Sequence, residues 1–274
     1  MHIHPAFQLP TLAFLLSIGI GPFAARAGTL EDCDLIYSKR ETLGTTAEEK
    51  STDERLLRET LACLNGALNG ATEVENERYD RIMVVLSALL QAKTSKTSED
   101  LSVMKNAIEK WRSVGGTVGV LSYWSGVQLS FECDHLDRGK PLPTETVKNL
   151  KTLITRFEDA SKLAPETHYA GPDRVLGILY GLENASGKSL PAMFGGDTKK
   201  AEGYLRKAYA TAPKLSANAL NFARILIKNG KRAEAEPILN LLKTRKEADW
   251  NPYPSTLRFP RPETRADIER AKKL

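Results

Sequence analysis

The stretch SANALNFARILIKNGKRAEAEPILNLLKTR, residues 216–245, decides the fold of this chain. Its apolar residues recur three and four positions apart on both sides of Asn229-Gly230, which is the periodicity of an amphipathic helix. Asn229-Gly230 is typical of a helix end, since glycine adopts the left-handed backbone of a C-terminal cap without steric cost. The stretch therefore predicts two helices, near 216–229 and 232–245, joined by a tight turn.

The same periodicity runs through the chain from Glu31 onward, and sustained strand-like alternation is nearly absent. Helix-start patterns occur at Ser51-Thr52-Asp53-Glu54, at Thr97-Ser98-Glu99-Asp100 and at Asp197. The remaining helices are predicted near 31–42, 53–69, 76–93, 98–114, 117–136, 144–163, 170–181, 197–212 and 263–273. The predicted fold class is all-α, with five antiparallel hairpins and a short C-terminal capping helix.

Two segments leave the local structure open. Gly115 to Val120 would suit a strand as well as a helix start, and helix is favoured because there is no second strand to pair with. Trp250 to Pro262 contains four prolines, so we expect either an extended wrap over the last hairpin or a loose tail. The predicted domains are a signal peptide at 1–27, a helical-repeat domain at 28–245, and the Pro-rich wrap with the capping helix at 246–274.

Three of the predicted hairpins share one order of small and large residues. Small residues allow two helices to touch, large residues fill the groove between them, and a proline ends the second helix in two of the three. The positions are Gly126, Leu153, Phe157, Ala160 and Pro165; then Leu176, Gly177, Tyr180, Ala201, Leu205, Ala208 and Pro213; then Phe222, Ala223, Leu226, Gly230, Ala235 and Leu239. This order resembles the tetratricopeptide repeat, with long insertions in the third and fourth hairpins. The resemblance implies a right-handed α-solenoid, in which Pro237 should kink the last repeat helix.

A second resemblance covers roughly residues 76–245. The motifs that carry it are Tyr123-Trp124, Pro165, His168 to Gly177, Gly195-Gly196-Asp197 and Lys199-Lys200-Ala201. They are similar to the T component of tripartite periplasmic (TRAP) transporters and its relatives. That resemblance implies an exported helical-repeat protein that works with a periplasmic ligand-binding protein, and it allows an oligomer with an apolar channel. The chain departs from the family in lacking the lipoprotein cysteine.

The first 27 residues have the form of an export signal. An apolar run from Leu12 to Ala25 ends in Ala25-Arg26-Ala27, which predicts cleavage after Ala27, although no Lys or Arg precedes the run. Glycine and proline interrupt this run, and no later segment approaches about 18 consecutive apolar residues. Acidic residues before Cys33 argue against lipidation. We therefore expect a periplasmic or secreted protein without a membrane span.

The chain has three cysteines, an odd number for an oxidising compartment. Cys33 falls near the start of one predicted helix and Cys63 near the end of the next, and an antiparallel pair brings those two ends together. A Cys33–Cys63 disulfide would stabilise the fold by about 3 kcal/mol in the chain-entropy model and leave Cys133 as a packed thiol. Three unpaired cysteines are the alternative, because connectivity does not follow from sequence.

Composition and motifs argue against several function classes. The net charge of +5 is spread over alternating acids and bases, unlike the basic stripe of a nucleic-acid-binding protein. Gly187-Lys188-Ser189 lacks the spacing of a phosphate-binding loop, and Glu132 to Asp137 lacks a second cluster to complete a metal site. An enzyme would have to use His135 or His168, and no nucleophile is marked beside either. We expect no enzyme, no metal and no cofactor.

Six residues are candidates for a binding site: Tyr123, Trp124, His168, Tyr169, Arg174 and Tyr180. At the entrance of a helix, His168, Tyr169, Asp173 and Arg174 would line a concave pocket together with the aromatic pair. Packing is the alternative, in which Gly171-Pro172 turns the chain and Arg174 holds Asp173 or a carbonyl.

The function favoured by these patterns is a binding or scaffold module. Its concave face would receive a protein partner, such as a periplasmic binding protein or a complex subunit, an extended peptide or an apolar small molecule. The second hypothesis is an accessory component of TRAP-type solute uptake, which contacts a ligand-binding protein or carries an apolar ligand. An oligomer is compatible with both.

Overall fold

A computed structural model describes residues 29–40, 46–67, 72–92, 98–136, 144–181, 198–250 and 261–274. Within these ranges the secondary structure is helical and there is no strand, which confirms the all-α prediction. The helices are α1 (Leu30–Tyr37), α2 (Ala47–Gly66), α3 (Thr72–Ala92), α4 (Ser98–Ser113), α5 (Val118–Leu136), α6 (Thr144–Leu163), α7 (Gly171–Gly181), α8 (Thr198–Thr211), α9 (Ser216–Lys228), α10 (Arg232–Thr244) and α11 (Arg261–Lys272), with a 3₁₀ turn at Glu247–Trp250. The predicted signal peptide, Thr97, Asp197 and Gly187-Lys188-Ser189 lie outside the described residues.

Consecutive helices pack against each other along the whole described chain. The most extensive contacts join α5 to α6, α7 to α8 and α9 to α10, the three hairpins in which the repeat order is visible. First helices of successive hairpins also touch, α3 with α5 and α7 with α9, and α11 packs across α9 and α10. These contacts confirm an α-solenoid of five helical hairpins with a C-terminal capping helix.

The predicted packing residues lie at these contacts. A Cβ atom added at Gly177 would overlap the Cγ of Leu205, and one at Gly126 would lie 2.9 Å from the Phe157 ring. Pro165 follows α6 and Pro213 follows α8. The alanines of the pattern have no exposed surface: Ala160, Ala201, Ala208, Ala223 and Ala235. Helices in this part of the chain therefore approach closely because no larger side chain stands between them.

From α4 onward the helix boundaries agree with the predictions within two residues. The predicted start of α3 is near 76, whereas the helix begins at Thr72, and the first hairpin differs more. The prediction that α2 begins at Asp53 is wrong, because the helix begins at Ala47. Thr46 caps it: the Glu49 N–H donates to the Thr46 hydroxyl at 3.2 Å, and the Thr46 N–H donates to the Glu49 carboxylate at 2.9 Å. An earlier capping box thus starts the helix before the pattern at 51–54 is reached. The prediction that α1 extends to 42 is also wrong, since the helix ends at Tyr37.

An ion pair that sequence patterns do not reveal follows the end of α1. Arg40 pairs with Asp53 of α2 at 2.5 Å, and both side chains are buried. Arg40 also donates to the Tyr37 hydroxyl at 2.7 Å. A second pair joins Arg81 of α3 to Asp34 of α1 at 3.0 Å.

A disulfide bond also joins α1 to α2. Cys33 in α1 and Cys63 in α2 form the predicted disulfide, with their Cα atoms 5.5 Å apart. The third cysteine, Cys133, is buried in α5 and lies outside this bond.

The C-terminal turn has the predicted cap. Gly230 has a φ of +74°, its N–H donates to the Ile227 carbonyl at 2.9 Å, and the Lys231 N–H donates to the Leu226 carbonyl at 2.8 Å. This pair of bonds is a Schellman motif. The next helix, α10, continues through Pro237 to Thr244.

The two ends of the predicted Pro-rich segment lie in helical structure, not in an extended wrap or a loose tail. Trp250 belongs to the 3₁₀ turn and is buried, with the Arg245 guanidinium 4.8 Å from its ring centre. Pro262 lies in the first turn of α11, where a proline is tolerated because that N–H has no helical partner. Residues 251–260 lie outside the described residues.

Among the described helices, none combines the length and the hydropathy that a membrane span requires.

Candidate functional site

The first helices of the hairpins form one side of the stack, which we call its inner side. A cavity of about 400 Å³ lies there. Its walls come from the first helices of all five hairpins, α1, α3, α5, α7 and α9, with contributions from α6 and the turn before α7. The lining residues are Tyr37, Val84, Ser87, Ala88, Gln91, Tyr123, Trp124, Val127, Ser130, Phe131, Phe157, His168, Arg174, Val175, Leu215 and Ala217. A largely apolar cavity with a few polar groups is the usual form of a small-molecule site.

Aromatic rings from α5 form the floor of this cavity. Tyr123 and Trp124 meet edge to face with ring centres 4.9 Å apart, and Tyr123 meets Phe157 of α6 at 5.8 Å. The indole N–H of Trp124 donates to Asp80 of α3 at 2.9 Å. Because Asp80 fixes its indole, Trp124 presents a defined apolar surface.

The turn before α7 has an unusual backbone. His168, Tyr169 and Ala170 have φ values of +47°, +57° and +59°, so three successive residues with side chains are left-handed. Each such residue costs about 1 kcal/mol or more, and the conformation persists only where its surroundings fix it. Ala170 is completely buried, and a Cβ atom added at Gly171 would lie 2.7 Å from the Tyr123 hydroxyl. The turn is therefore packed tightly against the aromatic floor.

Arg174 holds this turn. Its Nη1 donates to the Tyr169 carbonyl at 3.1 Å and to Asn218 Oδ1 at 2.9 Å, and its Nη2 donates to the His168 carbonyl at 3.4 Å. Of the two predicted packing partners, the structure shows carbonyls and not Asp173. That carboxylate instead accepts from Ser161 at 2.7 Å and pairs with Lys207 at 2.9 Å.

The ionisation states follow from burial. Burial lowers the pKa of His168 to about 3, with the nearby charge of Arg174 as a smaller cause. Burial raises the pKa of Tyr123 to about 12 and raises the pKa of Tyr169 as well. His168 and both tyrosines are therefore neutral at pH 7. Asp80 lies behind the floor, and burial raises its pKa to about 6 against the lowering effect of the Trp124 hydrogen bond.

Four of the six predicted site residues line the cavity: Tyr123, Trp124, His168 and Arg174. Tyr169 lies in the turn beside it and contributes its carbonyl to Arg174. The structure does not bring Tyr180 to this place. Its hydroxyl donates to Glu158 at 3.0 Å, and its ring stacks on Tyr204 of α8 at 5.8 Å. Binding by these residues stays a prediction.

Sequence reasoning missed two polar residues that organise the site. Asn218 is completely buried in α9, and its Nδ2 donates to the carbonyls of Tyr169, Ala208 and Ala212 at 3.0 to 3.2 Å. Asp80 orients Trp124 from α3. The available signal was the same for both: a short polar residue in the buried register of an amphipathic helix.

A metal site requires several ligating side chains close together. Within the described ranges, no three His, Cys, Asp or Glu side chains lie together as a metal site. The side chains of Asp134 and His135 lie outside the described part of α5.

The C-terminal repeats match a known family. A family model described as Tetratricopeptide repeat matches residues 195–252, which include α8, α9, α10 and the 3₁₀ turn. No curated protein matches the chain. These comparisons give no support to the resemblance with the TRAP T component. Together, the match over residues 195–252 and the stacked hairpins support a tetratricopeptide-like helical-repeat architecture.

Proposed function

We propose that this protein is an exported scaffold that binds a protein partner on the inner face of its helical stack. The observation that carries the proposal is the convergence of five first helices on one aromatic-lined cavity, in a chain with a tetratricopeptide repeat match. Inner faces of helical repeats are the surfaces such proteins use for binding, and aromatic residues are enriched in protein interfaces.

Export is supported by two features of the sequence and structure. The first 27 residues have the pattern of a signal peptide, and Cys33 and Cys63 are disulfide-bonded. Disulfides persist in oxidising compartments, which supports a periplasmic or secreted location. The intact mass of the mature chain tests this, with loss of residues 1–27 expected. A chain that keeps its N-terminus and stays in the cytoplasm would contradict export.

A matched pair of valine variants tests partner binding. Val127 lines the cavity, and Val103 is exposed on α4. The chain is used as bait for periplasmic proteins, and any partner recovered in a defined stoichiometry is tested against Val127→Glu and Val103→Glu. We expect the charge at Val127 to abolish binding, because it is placed in an apolar cavity, and the charge at Val103 to leave binding unchanged. Equal binding by both variants would place the partner elsewhere.

A TRAP-type accessory role is the second proposal. It is supported by the position of the motifs that resemble the T component, since Tyr123-Trp124 and the segment from His168 to Arg174 meet at the cavity. In this role the partner would be a solute-binding protein. A complex with the solute-binding protein encoded by a neighbouring gene is the expected result. Absence of both a neighbouring solute-binding protein and a neighbouring permease gene would count against this role.

A further inference from the structure

We infer that the inner cavity binds a small amphiphilic monocarboxylate, with its carboxylate on Arg174 and its apolar part against the Trp124 surface. This ligand site lies in the cavity on which the scaffold proposal rests, but ligand binding does not require a protein partner. Three properties of the cavity support it, and they concern charge, shape and rigidity.

The first property is a buried positive charge without a counter-ion. Arg174 is 9% exposed, and among the described residues no carboxylate lies within 4.0 Å of its guanidinium nitrogens. Asp173 pairs with Lys207, and Asp267, which acts on Arg174 electrostatically without an ion pair, pairs with Arg270. Buried charges in proteins are normally paired, because desolvation of an isolated ion is costly. An anion in the cavity would supply the missing partner.

The hydrogen bonds of Arg174 leave room for that anion. A guanidinium has five N–H donors, of which three are used by the neutral oxygens of His168, Tyr169 and Asn218. The Tyr123 side chain also hydrogen-bonds to Arg174. All these partners are neutral, and the planar guanidinium has a geometry that suits a carboxylate. Arg174 is also the one charged residue at neutral pH among the described residues of the lining, because His168 is neutral. A single positive charge favours a monoanion over a dianion.

The second property is an apolar body next to this charge. Trp124, Val127 and Phe131 from α5 line the cavity together with Val84 and Ala88 from α3. The volume of about 400 Å³ lies in the usual range for small-molecule sites and is too small for a folded domain. The complementary ligand therefore has one acidic end and a hydrocarbon part.

The third property is that the Arg174 guanidinium is held in place in the absence of a ligand. The left-handed turn at 168–170 and the buried Asn218 fix Arg174 from two sides. A pre-ordered arginine loses little side-chain entropy on binding, which favours affinity. Residues held in strained backbone conformations cluster at ligand sites, and this turn contributes His168 to the lining.

Three ligands that differ only at the head group test the charge requirement. The whole mature chain, freed of bound lipids by denaturation and refolding, is titrated with decanoate, decanamide and decyltrimethylammonium below their micelle concentrations, using calorimetry and tryptophan fluorescence. We expect one decanoate per chain, binding at least about tenfold tighter than decanamide, and no binding of the cation. Equal affinity for decanoate and decanamide would overturn the inference, and so would absence of binding for decanoate, octanoate, palmitate and 4-phenylbutyrate alike.

Two substitutions assign the site. Arg174→Gln should reduce the ratio of the affinities for decanoate and decanamide to about one. If Arg174 had only a structural role, the substitution would lower the affinity for both ligands equally. Ala88→Phe should abolish decanoate binding by filling the cavity without touching Arg174. The matched control is Ala210→Phe on the exposed surface of α8, which should bind decanoate as the parent does.

The second substitution keeps the test decisive if Arg174→Gln does not fold. Circular dichroism and the melting temperature establish whether each variant is folded. Decanoate binding that persists unchanged in folded Ala88→Phe would place the ligand elsewhere and refute the assignment. Loss of decanoate binding together with retention of the protein partner would separate this site from the scaffold role.

Discussion

The C-terminal and N-terminal hairpins build the same architecture by different means. Between α7 and α10 the contacts depend on small side chains, such as Gly177 against Leu205 and the fully buried Ala223. Between α1 and α3 they depend on the disulfide and on the buried pairs Arg40–Asp53 and Arg81–Asp34. Small side chains set the close approach of the helices in one region, and in the other region individual bonds add to the apolar packing.

This difference explains where a repeat can be recognised. Close packing of two helices limits the size of residues at fixed positions, so the same order returns in each hairpin. A disulfide or an ion pair links two particular residues and imposes no period on the sequence. The family match accordingly covers residues 195–252 and not the first hairpins.

The largest effect should come from breaking the shape-based contact. Gly177→Leu places a side chain where even a Cβ atom overlaps Leu205, so we expect the free energy of unfolding to fall by at least about 3 kcal/mol. Urea denaturation measures it. Gly203→Leu in α8 is the control, because a Cβ atom there meets nothing within 4 Å. A parent-like stability of Gly177→Leu would contradict the packing assignment.

Removing the disulfide of the N-terminal region should lower the free energy of unfolding by about 3 kcal/mol. The first increase in local opening should be confined to that region. Cys33→Ala combined with Cys63→Ala removes a link between residues separated by 30 positions, which increases the entropy of the unfolded chain. We expect hydrogen exchange to accelerate in α1 and α2 before it does in α9 and α10. The unreduced, denatured parent should show one titratable thiol, that of Cys133. Three thiols would exclude the disulfide.

The fold could be predicted because its main signals are local. The apolar period, Asn229-Gly230 and the repeat order gave the helices from α4 onward nearly to the residue. The start of α2 could not be predicted in the same way, since Thr46-Glu49 and Ser51-Glu54 both have the form of a capping box. The structure caps the helix with the earlier box, and Asp53 of the later pattern lies inside the helix, where it pairs with Arg40.

The site could be predicted only in part, because its geometry is non-local. The residue types in the segment from His168 to Arg174 and in the pair Tyr123-Trp124 identified them as candidate site residues. Their meeting depends on the left-handed turn and on Asn218, which lies 44 positions after Arg174. Tyr180 belongs to the same helix as Arg174, but it lies at the α7–α8 contact and not at the cavity. Sequence spacing alone does not distinguish these two faces.

Asp80 tests how the N-terminal region is attached to the rest of the stack, because it accepts a hydrogen bond from Trp124 and so joins α3 to α5. Burial raises the pKa of Asp80 from 3.8 to about 6, so between those values the folded protein holds a proton that the unfolded chain releases. The free energy of unfolding therefore falls as pH rises through this window. Asp80→Asn cannot ionise and keeps an acceptor for Trp124. We expect the variant to be more stable than the parent by about 1 to 3 kcal/mol at pH 7 and about equal at pH 4.

A reciprocal variant controls for other carboxyl groups. Asn76 lies one turn before Asp80 and accepts from the Trp111 indole at 2.6 Å. Asn76→Asp should acquire the opposite behaviour and lose stability relative to the parent as pH rises from 4 to 7. A stability difference between Asp80→Asn and the parent that does not vary with pH would contradict the buried ionisation of Asp80.

The smallest expected effect concerns the turn that makes the last hairpin regular. Gly230→Ala introduces no steric contact, since a Cβ atom there meets nothing within 4 Å, and the change therefore isolates the cost of a φ of +74° for a residue with a side chain. We expect a loss of about 1 kcal/mol in thermal unfolding. Gly203→Ala provides the opposite sign, because alanine is favoured over glycine inside a helix by up to about 1 kcal/mol. If both variants shifted the melting temperature in the same direction, the stability of this hairpin would not depend on the left-handed cap.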